Sequence, residues 1–176
     1  MHTGARKGEW VRFPPSVPNM LKIEKARRYL IKMRRIYSGV PYAEDECEGY
    51  IDDIESFFVF CHHIRDFFLH PNGYKVDKRT VNEFVKRNDH LCICADIANK
   101  IKHRELKTRW TDKAYTEPRI VRVAWESDGT NYVFHTMRGK CEVVHQNQWI
   151  DALDLAERCM KSWDEFLTEA KRNIGC

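Results

Sequence analysis

The chain has no apolar run near the ~20 residues that a membrane-spanning helix needs. Its opening stretch, MHTGARKGEWVRFPPSVPNM, lacks the apolar centre of a secretory signal. A cytoplasmic protein with no membrane partner is expected. There is no glycine-rich phosphate loop, no Gly-x-Ser-x-Gly elbow and no His-Glu-x-x-His helix, so nucleotide hydrolysis, serine hydrolysis and zinc-protease chemistry have no support. Internal repeats and low-complexity tracts are missing too. The seven cysteines, Cys47, Cys61, Cys92, Cys94, Cys141, Cys159 and Cys176, are odd in number and scattered through amphipathic segments. That excludes the paired framework of a small secreted scaffold and predicts reduced thiols, several of them small core residues.

What is present is a balance suited to one folded domain: 176 residues, 43% hydrophobic and 32% charged, with a net charge of +4 too mild to demand a nucleic-acid partner. Residues 1–18 hold Pro14, Pro15 and Pro18 with little periodicity, and are expected to form an extended arm anchored by Trp10 and Phe13. Residues 19–176 are expected to form a single helical domain. Asn19 can cap a helix over 20–38, in which Ile23, Ala26, Leu30, Met33 and Tyr37 step by three and four. Gly39 and Pro41 stop it. A second helix is expected from Glu44 to His70, opening on Glu44, Asp45, Glu46 and Glu48 and ending at Pro71-Asn72-Gly73. A third helical region spans 79–106, with a break near Asn88-Asp89.

The period then changes. Runs at 120–125, 132–134 and 141–144, with Asp128-Gly129 and Arg138-Gly139 between them, predict a three-stranded antiparallel meander over about 119–146. A closing helix over 147–172 carries Trp149, Ala152, Leu153, Ala156, Met160, Trp163 and Leu167 on one stripe. The expected fold is mainly α: a four-helix bundle with this meander inserted before the last helix.

Two polar stripes stand out. His63, Asp66 and His70 are spaced i, i+3, i+7, and so are Asp96, Asn99 and His103. That spacing puts each set on one helix face. Histidine can take and return a proton near neutral pH, and a neighbouring carboxylate or amide fixes its tautomer. Arg65 and Lys102 are placed to hold a phosphate. The first helix adds a basic face that includes Arg27, Arg28, Lys32 and Arg35, a phosphate track for RNA or a solvated surface complemented by the acidic start of the second helix. No metal site or cofactor is expected, because Cys92-x-Cys94 is too tight for a structural zinc pair and the two thiols diverge on a helix.

Arg65-Asp66-Phe67-Phe68-Leu69-His70 is similar to the Arg-x4–6-His motif of the HEPN superfamily. The pair His63-Ile64-Arg65-Asp66-Phe67 and Asn99-Lys100-Ile101-Lys102-His103 also resembles HEPN-like bacterial and phage proteins. These combine a His-x-x-Asp-aromatic helix with an Asn-x-x-Lys-His helix. The resemblance covers residues 45–105 by motif. It implies a small helical bundle, usually a homodimer, and a metal-independent endoribonuclease acting as a toxin or antiphage effector, with an antitoxin or other protein partner. Asp66 stands where active members often have Asn. On an unbroken helix Arg65 and His70 point about 140° apart, so the base is open among His63, His70 and His103. The implied mechanism activates a ribose 2′-OH, which DNA lacks. An expectation of another class is a non-catalytic HEPN-like binding protein, in which the same residues form a structural network or a ligand pocket.

Overall fold

The computed structural model describes residues 20–41, 47–69, 76–102, 118–126, 136–145 and 148–174. The N-terminal arm expected over 1–18 lies outside them.

Helix α1 (Met20–Ser38) buries Ile23, Ala26, Leu30, Met33 and Ile36 along one stripe. It ends where Gly39, at φ 128°, donates its N–H to the Arg35 carbonyl at 2.9 Å, a backbone conformation that favours glycine. Strand β1 (Val40–Pro41) follows at once. Helix α2 (Cys47–His62) then buries Ile54, Phe57, Phe58 and Cys61. The second helix was expected to run unbroken to His70. Instead it is interrupted at His63, and a short helix α3 (Ile64–Leu69) continues with Ile64, Phe67 and Phe68 buried.

Helix α4 (Lys78–Arg87) starts at Asp77, whose carboxylate accepts the N–H groups of Arg79 and Thr80 at 2.8 and 3.2 Å. Asn88 separates it from α5 (Asp89–Lys102), close to the expected break. In α5 every residue from Leu91 to Ala98 is buried. A helix that is hidden on all sides occupies the middle of a fold, and α5 packs against α2, α4 and α6.

The sheet is antiparallel and centres on β3 (Thr136–His145). Strand β2 (Pro118–Glu126) pairs along one edge of β3, with a register shift between Ile120 and Arg122. The other edge is shared. Residues 136–137 pair with β1, and residues 142–145 pair with β4 (Gln148–Asp151). The expected strand at Tyr132-Val133-Phe134 lies outside the described residues. The closing helix was expected from residue 147, but α6 (Ala152–Ile174) begins only after β4. Trp149, expected on its buried stripe, sits in β4 and is 55% exposed. The cause is local. Residues 148–151 take up strand pairing, and the Asp151 side chain caps α6 by accepting the N–H groups of Leu153 and Asp154 at 2.9 and 3.0 Å.

The molecule is mainly helical, with this small sheet before the last helix. Helices α1, α2, α5 and α6 pack in a closed ring, α1 on α2, α2 on α5, α5 on α6 and α6 on α1. Phe68, Phe84 and Phe166 fill the junction of α3, α4 and α6, with ring centroids 4.8 Å apart for Phe68–Phe166 and 4.4 Å for Phe84–Phe166. No described helix is long and apolar enough to cross a membrane.

Candidate functional site

The interruption between α2 and α3 places a histidine where the backbone changes course. His63 donates its N–H to the Val59 carbonyl at 3.2 Å, and its own carbonyl accepts from Asp66 at 3.1 Å. Helical hydrogen bonding therefore passes through the break with a tightened turn. The side chain of Lys102, in the last turn of α5, meets His63 there in a hydrogen bond to Nε2. An ammonium has only donors, so Nε2 is the acceptor and the imidazole proton sits on Nδ1. Burial holds the His63 imidazolium below its ordinary pKa, and the Lys102 charge lowers it further against the opposing pull of Asp66. His63 is thus a neutral imidazole beside a cation at physiological pH.

His62, its neighbour, is pushed down to about 4, first by burial and then by the charge of Arg65, with Asp66 opposing and His63 and Lys102 adding to the fall. The two rings lie 6.2 Å apart between centroids. Arg65 donates from Nε to the Asn82 side-chain oxygen at 2.9 Å and so ties α3 to α4. Asp66 is exposed, and Asn99 is half-buried one turn before Lys102.

These positions bring His63, Arg65, Asp66 and Lys102 to one end of the α2–α3 break. His70 and His103 lie outside the described residues. Of the expected second stripe, Asp96 and Asn99 are described and His103 is not. Asp96 is fully buried in α5, while Asn99 and Lys102 emerge from the core. His62 and Asn82 were not anticipated. The His62-His63 doublet hinted at the first, but nothing in the spacing joined Asn82 to Arg65.

Three of the seven basic residues of α1 pair with carboxylates. Arg27 pairs with Glu24 at 2.8 Å and with Asp164 at 2.7 Å, Lys32 with Asp53 at 2.6 Å, and Arg34 with Glu157 at 2.9 Å. The Lys32 pair joins α1 to α2 at Asp53, beyond the acidic start of the second helix that was expected to complement the basic face. Arg28 and Arg35 are exposed. Half-exposed pairs of this kind stabilise by about 1 kcal/mol at most, so they cost little to open for a phosphate.

One group among the described residues has the donor set of a metal site: Cys61, Cys94 and Cys159, from α2, α5 and α6. Cys92 lies elsewhere, its thiol donating to the Val85 carbonyl at 3.3 Å. The divergence expected for Cys92 and Cys94 is therefore observed.

No protein-family model, no curated protein and no solved structure matches this chain.

Proposed function

We propose that the chain is a HEPN-like, metal-independent endoribonuclease that works as a homodimer. A role as a toxin or antiphage effector, with an antitoxin as partner, follows from the resemblance of its motifs. The observation that carries the reading is the contact between Lys102 and the Nε2 atom of His63. A neutral imidazole is the form that can accept a proton, and an adjacent ammonium is the group that stabilises charge on a phosphate. An incoming phosphate draws Lys102 away and uncovers the Nε2 lone pair. His63 then takes the proton of the ribose 2′-OH, whose oxygen attacks the adjacent phosphorus. Lys102, with Arg65, stabilises the developing charge. The 5′-oxygen leaves with a proton from a second group, His70, His103 or water, and the product ends in a 2′,3′-cyclic phosphate. Asp66 and Asn99 support the histidine, and Arg27, Arg28, Lys32 and Arg35 of α1 guide the RNA backbone.

A labelled, structured RNA incubated with purified protein in EDTA tests this directly. Wild type should cut and leave cyclic phosphate ends, while folded His63→Ala and Lys102→Met variants should not. Absence of cutting across varied RNAs sinks the reading.

A second reading, a non-catalytic binding protein, is favoured by the commitment of Arg65 to Asn82 and of three α1 cations to carboxylates. Under it, His63→Ala lowers the melting temperature by several degrees, because its partners are left unpaired. A catalytic His63 leaves stability unchanged or raised.

A further inference from the structure

Cys61, in the last turn of α2, and Cys94 and Cys159, inside α5 and α6, each occupy an inward position, and their sulfur atoms all lie within 4.8 Å of one another. The three residues are 0%, 1% and 0% exposed. As thiols they have modest outlets: Cys94 donates to the Phe58 carbonyl at 3.5 Å and Cys159 to the His90 carbonyl at 3.3 Å. Beside them, the indole Nε1–H of Trp163 is buried with no hydrogen-bond partner of normal geometry, and a buried donor left so is costly. The cluster thus brings three buried thiols within reach of one another, beside an indole N–H that lacks an acceptor.

We propose that Cys61, Cys94 and Cys159 form a binding site for a single thiophilic ion in three-coordinate sulfur geometry, cuprous copper being the ion of that class. Three observations select the class. The donors are all sulfur, which favours soft ions over hard ones. No fourth His, Cys, Asp or Glu joins the group among the described residues, whereas structural zinc takes four ligands. The spacing also fits: three sulfurs about 2.3 Å from a central ion in a plane are about 4 Å apart, that distance times √3. Each thiol that becomes a ligand gives its proton to solvent, so binding is pH-dependent. The indole N–H of Trp163 then finds its acceptor in a metal-bound thiolate, the outer-shell contact that such ligands ordinarily receive. Because the site is closed, the ion enters during folding or through local opening of the ring of helices.

The test is an anaerobic titration of the reduced, full-length protein with Cu(I) held by a chromophoric chelator, followed by X-ray absorption at the copper edge. One equivalent should leave the chelator, and the absorption should show three sulfur neighbours and no nitrogen or oxygen. Cys92→Ser should bind as wild type, Trp163→Phe about tenfold more weakly with the same sulfur shell, and Cys159→Ser at least about a hundredfold more weakly. Copper that stays with the chelator overturns the proposal. So does a shell of fewer than three sulfurs, or zinc bound in preference to copper in a parallel titration. If Cys159→Ser does not fold, the sulfur count on wild type decides alone.

Discussion

The Tyr37 hydroxyl at the end of α1 both donates to the Cys141 carbonyl, at 2.8 Å, and accepts from the Cys141 N–H, at 3.0 Å. Strand β3 pairs with β1 through residues 136–137 and with β4 through residues 142–145. Among the described residues the edge between has no partner strand, and Tyr37 fills it by doing for Cys141 what a neighbouring backbone would do. Burial accordingly raises the phenol well above its ordinary pKa. Tyr37→Phe keeps the ring but orphans both groups, and should destabilise the protein by about 1–3 kcal/mol. Urea denaturation measures the loss; an unchanged midpoint would show that water replaces the hydroxyl.

The same seam has no room for a methyl group. A Cβ built on Gly139 would meet Cγ2 of Ile36 at 2.7 Å. Gly139→Ala should therefore cost about 1–3 kcal/mol through overpacking. Because the clash involves one atom, Ile36→Ala in the same chain should relieve part of it, giving a coupling of at least about 0.5 kcal/mol in a double-mutant cycle. Strict additivity would place the strain elsewhere.

His62 makes stability depend on pH. Its pKa is about 4 in the folded chain against 6.5 ordinarily. Between those values the unfolded chain binds a proton that the folded chain refuses, so stability is complete above pH 6.5 and is lost as pH falls toward 4. The loss should be on the order of 2 kcal/mol, allowing for partial exposure. Carboxylates titrate over part of the same range, so the useful quantity is the difference between wild type and His62→Gln. The variant should show the shallower slope, and parallel curves would rule His62 out.

Lys102 sets the proton affinity of His63 only in part, since burial is the larger cause. Lys102→Gln should raise the His63 pKa toward, but not to, its ordinary value. Titration of the imidazole resonances by NMR follows the change. A downward movement would mean that the ammonium does not act on the ring as the contact implies.

Much of this arrangement was legible from spacing. The stripe of α1 from Ile23 to Met33 and the break at Asn88 were both readable, because a 3.6-residue period and a helix-breaking Asn-Asp pair are local signals. The start of α6 was not. Trp149 matches the helical stripe in phase, and only pairing with β3 and the Asp151 cap, one of them long-range, make it a strand residue. The break at His63 left no mark in the sequence, since Phe57, Phe58, Ile64 and Phe68 keep an apolar face on both sides of it. At the candidate site the order of the motif put His63 and Lys102 in the right region, but not Asn82, which comes from a separate helix. The three cysteines fell on inward positions of their helices, and a reading confined to sequence-adjacent ligand pairs passes over donors that meet only when three helices pack.

The Asp151 cap carries its own expectation. Asp151→Ala removes the acceptor for two N–H groups at the start of α6 and should lower stability by about 1 kcal/mol, whereas Asp151→Asn should keep most of it. Thermal unfolding of the pair decides; equal losses would point to the nearby Lys140 charge instead.

The join between Tyr37 and Cys141 spans 104 residues of chain. A ribosome adding about 5–20 residues per second takes roughly 5–20 s to cover that distance. During those seconds α1 has already been made, while the strand that buries Ile36 and receives Tyr37 has not. Helix α1 therefore emerges with part of its apolar stripe uncovered, a surface open to a nascent-chain chaperone until β3 has been made.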